Sequence, residues 1–261
     1  MLVLVQFGSH SDVMRRMAGR VAALYDIHGN APALEAVLRE MEGLGVDEIV
    51  IGGDVLPGPM PAECLALLDA VHLPMRFIMG NGDREVVAPS GAIPETYQSA
   101  MRWNAEQIGP EETRRIAEWP LSIRVAVEGI GDVLFCHATP RNDTEVFTKR
   151  TPEVRLVPIF GTLDVAIAVC GHTHMQFDRM VGSVRVINAG SVGMPFGSAG
   201  AFWLLIGPEV ELRRTAYDLD AAAARVRETA FPGADAFAAT SILQPPAEQT
   251  ILDAFSHTEL T

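Results

Sequence analysis

The chain is poor in cysteine, poor in basic residues and without a long apolar run. Its three cysteines, Cys64, Cys136 and Cys170, are an odd number with no CxxC spacing, which argues against a disulfide framework or a zinc ribbon. No apolar stretch approaches the ~18 residues that span a bilayer, so no membrane association is expected. Lys and Arg number 20 against 33 Asp and Glu, a formal net charge of −13. Affinity for nucleic acid comes mainly from basic side chains neutralising phosphates, so nucleic acid is an unfavourable partner for this chain. A phosphate ligand would need positive charge from elsewhere, and bound metal ions are one supply. The segment from Met1 to Phe7 is apolar but short, with no basic residue before it and no convincing small-residue cleavage site after it. No signal peptide is expected there, and the cytoplasm is the default location.

What is present is a substantial apolar content, 48% of 261 residues, enough for one large domain or two small ones. The run Val21 to Tyr25 reads as a buried strand. Gly29 turns the chain, and Asn30 is a good N-cap for a helix from about Ala31 to Gly43. A strand over Glu48 to Ile51, a helix over Pro61 to Ala70 and a strand over Met75 to Met79 follow. This alternation predicts a parallel sheet with right-handed crossovers. From Glu85 to Pro120 helix-like stretches are broken by Pro89, Pro94 and Gly109-Pro110. Six short strand-like runs come next: Ser122 to Val127, Asp132 to Cys136, Val165 to Cys170, Ser183 to Asn188, Ala201 to Ile206 and Val210 to Thr215. Their spacing predicts a mixed or antiparallel sheet. From Leu219 the chain is Ala-rich and helical, with breaks at Pro232 and Pro245-Pro246. The organisation read from this is an N-terminal extension over 1–19, a single domain over 20–261, a helical insertion at about 85–120 and C-terminal helices from about 219.

Five short polar segments each follow an apolar run: Asp26-Ile27-His28-Gly29-Asn30, Gly53-Asp54, Gly80-Asn81-Gly82-Asp83, Cys136-His137 and Gly171-His172-Thr173-His174. Strand ends in α/β sheets converge on one crevice. The pairs Asp26/His28 and His172/His174 are two residues apart, a spacing that strand alternation would aim to one side. Asp54 follows the second strand and Asn81 the third. A carboxylate can bridge two cations ~3.5–4 Å apart, and Asn81 offers a neutral carbonyl oxygen. Two divalent ions set against Asp26, Asp54 and one bridging hydroxide leave about one positive charge for a phosphoryl oxygen. Such ions bring the pKa of bound water from ~15.7 towards ~7, which supplies hydroxide near neutral pH. Cys136 and Cys170 adjoin this set, but a free cysteine usually acts as a small buried hydrophobe.

The five segments, in this order, resemble those of the calcineurin-like metallophosphoesterases, especially their smaller prokaryotic phosphodiesterase branch. The resemblance covers roughly Arg20 to Asp218, and Asn188-Ala189-Gly190-Ser191 resembles the Asn-Pro-Gly-Ser segment of that fold. It implies an α/β fold, a four-layer αββα sandwich of two mixed β-sheets flanked by helices. It implies a dinuclear metal site. Asp26, His28, Asp54 and His174 would hold one ion, and Asp54, Asn81, His137 and His172 the other. Manganese, iron, zinc and nickel all suit this mixed oxygen and nitrogen set. The implied activity is hydrolysis of a small phosphate ester by attack of a metal-bridging hydroxide, with a phosphodiester favoured over a phosphoprotein.

Two departures from the family pattern bear on that activity. Gly82 stands where the family usually has a histidine acting near the leaving group, so the conventional general acid is missing. A histidine restored at position 82 is expected to help most with poor leaving groups. The Asp-Arg-Gly of the protein phosphatases is also absent, since Gly53-Asp54 runs into Val55-Leu56-Pro57. Asp83 either holds a backbone turn or substitutes as the proton donor. Arg84 either contacts substrate phosphate, as Asn81 would, or pairs with Asp83. Tyr97 and Trp103 lie in the insertion and either wall the pocket or pack in the core. His10, His72 and His257 read as structural. Two other functions compete: a catalytically weak scaffold of the same fold that binds a protein partner, for which Gly82 is the best support, and a nuclease, which the acidic balance disfavours.

Overall fold

The computed structural model describes residues 17–91 and 93–260. Two five-stranded sheets lie face to face. The first has the order β10-β9-β1-β2-β3, built from β1 (Val21–Leu24), β2 (Glu48–Ile51), β3 (Met75–Phe77), β9 (Ala201–Ile206) and β10 (Val210–Thr215). Within it β1, β2 and β3 are parallel, and β9 runs antiparallel to both β1 and β10. The second has the order β4-β5-β6-β8-β7, built from β4 (Ser122–Val127), β5 (Gly131–Cys136), β6 (Ile167–Cys170), β7 (Phe177–Val181) and β8 (Val184–Asn188). Here β5, β6 and β8 are parallel and the edge strands β4 and β7 are antiparallel.

Strand alternation sorts the apolar residues into three layers. Val21, Ala23, Val50 and Leu204 point inward, against Val125, Phe135, Val169 and Ile187 of the second sheet. Ala22, Leu24, Ile49, Ile51 and Trp203 point outward, under α1 (Ala31–Met41), α2 (Pro61–Asp69) and α6 (Leu219–Arg227). Leu134, Ala168 and Val186 cover the far face of the second sheet, under α5 (Glu153–Phe160). The result is the four-layer αββα sandwich, with mixed sheets. Helix α1 starts where Asn30 accepts from Ala33 N–H at 3.2 Å, one of the donors a helix start otherwise leaves unpaired.

The elements depart from the sequence reading at definite places. Tyr25 and Met79 fall beyond β1 and β3, because the chain has already turned into the site loops. Strand β7 and helix α5 were not expected. Phe177–Val181 exposes alternate residues as an edge strand, and α5 carries an internal Pro158 that reads as a breaker. The stretch after Asn81 folds as α3 (Asn81–Val87) and α4 (Glu95–Ala117), the latter kinked where Gly109 takes φ 75° ahead of Pro110. The C-terminal part contains α7 (Ala234–Phe237), a π-helical turn over Ala238–Leu243 and α8 (Glu248–Phe255). Of the extension over 1–19, residues 1–16, including His10, lie outside the described residues, and Ala18 bridges to Val127 at the edge of the second sheet. Among the described residues no helix is long and apolar enough to cross a membrane.

Candidate metal centre

The five polar segments leave the ends of β1, β2, β3, β5 and β6 and meet at one edge of the sandwich. Strand alternation does not aim them. Asp26, His28, Asp54, His172 and His174 all have φ between 46° and 65°, in the left-handed region. For residues with a Cβ that backbone costs of order 1–3 kcal/mol each and persists only where surrounding structure imposes it. Here the loops are knitted together. Asp26 N–H donates to Gly53 O at 3.1 Å, His28 N–H to Asp54 O at 2.9 Å, Gly171 N–H to His137 O at 2.8 Å and Gly193 N–H to Asp26 O at 3.0 Å. The segment Asn188–Ser191 pins the same loops. Asn188 Nδ2 donates to Gly171 O at 2.6 Å, and Ser191 Oγ donates to Asp26 O at 2.8 Å.

Three imidazoles are held in the same way. Nδ1 of His28 donates to Pro57 O at 3.2 Å, Nδ1 of His137 to Gly52 O at 2.9 Å and Nδ1 of His174 to Met194 O at 2.7 Å. A carbonyl only accepts, so each Nδ1 carries hydrogen and each Nε2 turns inward. The Nε2 atoms of His28 and His174 face each other at 3.3 Å. Asp54 Oδ2 lies 3.6 Å from His28 Nε2 and 3.5 Å from His137 Nε2. Asp26 Oδ1 lies 3.3 Å from His174 Nε2 and 3.9 Å from both His28 and His137 Nε2, yet it is buried and makes no hydrogen bond. Asp26, His28 and His174 form one group able to hold a cation, and Asp26, Asp54 and His137 another.

The remaining two candidates stand beside the second group. The Asn81 amide lies 3.2 Å from His137 Nε2 and 2.9 Å from His172 Nδ1. With nitrogen inward it donates to both imidazoles and to Asp143 O. With oxygen inward it joins them as a third electron-pair donor. A buried carboxylate oxygen ringed by inward-facing imidazole nitrogens is an arrangement that a cation satisfies. The donor set of oxygen and imidazole nitrogen suits a first-row divalent ion. The resident family metals therefore fit the residues present.

Electrostatics reflect the same crowding. Burial works against the charge on Asp26 and Asp54, but the surrounding imidazoles outweigh it and hold both carboxyls below the usual range. Burial likewise opposes charge on His137, and Asp54 with Asp26 overrides it, raising the ring to about 10. His174 is raised by Asp26 against its own burial. Burial pushes His28 down despite Asp54, and burial together with the His137 charge lowers His172 to about 4.

The other sequence candidates are placed as follows. Gly82 N–H donates to Asp54 Oδ1 at 2.7 Å, and a Cβ at position 82 would lie 2.5 Å from Leu56 O and 3.0 Å from Asp54 Oδ1. A histidine at 82 therefore has no room, which corrects the expectation that it would restore an acid. Asp83 is fully buried and accepts from the backbone N–H of Asp54 at 2.7 Å, Leu56 at 2.9 Å and Gly80 at 3.2 Å. Burial and the Asp54 charge push its carboxyl up to about 8 against these three donors. Arg84 is paired with Asp143 at 2.7 Å and Glu85 at 2.9 Å, and not with Asp83. Cys136 and Cys170 point away from the site into the layer under α5, and burial raises both thiols, Cys136 to about 12.

A cavity of about 460 Å³ opens above the site, with His28, Asp54, Asn81 and Gly82 at its floor. Tyr97, Ala100 and Met101 of α4 form one wall, while Trp103 packs edge-on against Phe231 at 5.5 Å, outside the cavity lining. Sequence reasoning missed the opposite wall, which the C-terminal segment supplies through Phe231, Phe237, Thr240 and Ser241. The sequence carried only a weak sign of it, the Pro232-Gly233 break in an otherwise helical stretch.

The comparisons with known proteins agree with this fold. The family model described as the calcineurin-like phosphoesterase superfamily domain matches residues 20–206. The uncharacterized protein MJ0912 of Methanocaldococcus jannaschii is 27% identical over 240 residues, covering 81% of this chain and 93% of its own. The crystal structure of the hypothetical protein PH1004 from Pyrococcus horikoshii is similar with a TM-score of 0.75 at 19% identity, covering 87% of this chain and 99% of that one. A metallophosphoesterase from Sphaerobacter thermophilus is similar with a TM-score of 0.68 at 24% identity, covering 86% and 100%. With the fold, the convergent donors and the family match in hand, the chain belongs to the calcineurin-like phosphoesterase superfamily.

Proposed function

We propose that the protein is a phosphodiesterase that works with two divalent ions. Asp26, His28, Asp54 and His174 would hold one ion, and Asp54, Asn81, His137 and His172 the other. The observation that carries this reading is the inward convergence of three Nε2 atoms on the buried, unbonded Asp26 Oδ1. Gly82 N–H donates to Asp54 Oδ1, and Oδ2 faces His28 and His137 Nε2, so Asp54 would be held in place to serve the ions. When bound, the ions would supply positive charge for the phosphoryl oxygens and make water a better nucleophile near neutral pH. The backbone carbonyls of Pro57, Gly52 and Met194 keep three imidazoles oriented with Nε2 facing the site.

In the hydrolysis an oxygen–phosphorus bond forms from water, the bond to the leaving oxygen breaks, and the proton from water ends on the leaving group or solvent. Gly82 cannot deliver that proton, and Asp83 is committed to three backbone donors. Low-pKa leaving groups are therefore favoured. Arg84 is committed to Asp143 and Glu85, which leaves no argument for it as a phosphate contact. The absence of Lys and Arg from the cavity lining, among the described residues, favours a singly charged diester over a dianionic monoester. Metal analysis together with turnover of paired mono- and diester aryl phosphates tests the reading. Two ions per chain and faster diester hydrolysis are expected. A protein that takes up no metal, or that prefers monoesters, overturns it.

A further inference from the structure

The floor and the walls of the cavity differ sharply in chemistry. The floor is the polar metal centre. The walls are Tyr97 and Met101 from α4, Met194, and Phe231 and Phe237 from the C-terminal segment. This apolar wall is braced. Phe231 meets Phe237 edge-on at 6.2 Å and Trp103 edge-on at 5.5 Å. Tyr97 is 62% exposed although it lines the cavity, so its ring is available to a ligand.

The polar groups in the upper part are hydroxyls. Ser241 is buried, and Thr240 Oγ1 donates to Ala236 O at 2.8 Å. Among the described residues no Lys or Arg lines the cavity. A second phosphate there would find no counter-charge, in a chain of net charge −13. The volume of about 460 Å³ suits a small molecule and not a long polymer.

Resting on the phosphodiesterase reading, we infer that the substrate's second ester group is a compact, uncharged apolar or aromatic moiety with no further phosphate. It would be seated between Tyr97 and Met101 on one side and Phe231 and Phe237 on the other. The metal centre takes the phosphate, and the braced rings take the group beside it.

The test uses the metal-loaded full chain and a series of p-nitrophenyl phosphodiesters with one common leaving group. The second ester is methyl, phenyl, cyclohexyl, thymidine 5′, or thymidine 5′ bearing a 3′-phosphate. Phenyl or cyclohexyl should exceed methyl by about tenfold in kcat/KM, the scale of a ring entering an apolar pocket. Phenyl ahead of cyclohexyl identifies an aromatic preference, and the reverse an aliphatic one. The 3′-phosphate should lower kcat/KM roughly tenfold relative to unmodified thymidine, since it brings unpaired charge to an apolar wall. Tyr97→Ala should lower the phenyl ester's kcat/KM more than the methyl ester's. Thr240→Lys, at an exposed lining position, should restore the 3′-phosphorylated substrate preferentially. Equal rates for methyl and ring esters, or a preference for the 3′-phosphate, overturn the inference while leaving the phosphodiesterase reading intact. No turnover of any diester by metal-loaded protein overturns the phosphodiesterase reading and the inference with it.

Discussion

Gly82 and Asp54 are in contact through the backbone: Gly82 N–H donates to Asp54 Oδ1 at 2.7 Å, and Leu56 O closes the space where a Cβ would stand. The glycine that looks like a lost catalytic residue is thus the position that orients a central carboxylate. Gly82→Ala and Gly82→His should both weaken metal binding. Overpacking of this kind typically costs about 1–3 kcal/mol. Metal titration followed by spectroscopy, with melting temperature on the same samples, checks it. A Gly82→His protein with unchanged metal affinity and faster hydrolysis of poor leaving groups would show that the loop yields.

Asp54 is the residue on which the proposed two-ion arrangement depends. Asp54→Asn keeps an oxygen for Gly82 N–H but removes the negative charge. Metal content should fall for both ions together, and turnover should drop by at least ~10²-fold, since the shared ligand and the charge it neutralises are lost at once. Elemental analysis after dialysis gives the stoichiometry. A variant that retains one full equivalent of metal would assign sharing to Asp26, which belongs to both close groups.

Much of this site is legible in the sequence, and for a physical reason. Asp26, His28, Asp54, Asn81, His137, His172 and His174 are polar residues set close behind short apolar runs, and those runs read as strands. The left-handed backbone of Asp26, His28, Asp54, His172 and His174 is not legible, because Asp and His adopt it only under the cross-loop hydrogen bonds that join distant segments. Strand β7 is hidden by its exposed alternate residues at a sheet edge, and α5 by Pro158. The wall formed by Phe231, Phe237, Thr240 and Ser241 is hidden for a different reason. It reaches the cavity only through tertiary packing of the C-terminal helices against the first sheet's helical layer.

The buried imidazoles set a pH signature for the metal-free protein. His137 is raised from its ordinary 6.5 to about 10. Its contribution to stability is fully present below pH 6.5 and is lost as pH rises through about 10. His172 is lowered to about 4, so it destabilises as pH falls from 6.5 towards 4, where the unfolded chain binds the proton more readily. The metal-free protein should therefore lose stability as pH rises from about 6.5 towards 10, and Asp83, raised to about 8, adds to that loss up to pH 8, while below 6.5 it offsets His172. In the proposed arrangement metal would take the place of the His137 proton, so loading at pH 7.5 should release about one proton or more per chain. Calorimetry in buffers of different ionisation enthalpy measures the release. A release of zero would place His137 neutral before metal arrives.

Asp83 distinguishes a structural carboxylate from a catalytic one. Its oxygens accept from Asp54, Leu56 and Gly80 N–H, so they set the path of both the second and third site loops. Asp83→Ala strands these buried donors, each costing about 1–3 kcal/mol when unpaired. It should lower stability by several kcal/mol or prevent folding. Asp83→Asn retains one acceptor oxygen and should fold, with a smaller loss of stability and weaker metal binding. The leaving-group dependence separates the roles. As a backbone anchor, Asp83→Asn lowers turnover of good and poor leaving groups by a similar factor once metal is saturating. As a proton donor, it would leave p-nitrophenyl esters nearly unaffected and slow esters of high-pKa alcohols by ~10²-fold or more. Denaturant unfolding and a leaving-group series on the same Asp83→Asn preparation provide both readouts, and a uniform factor is the expected result.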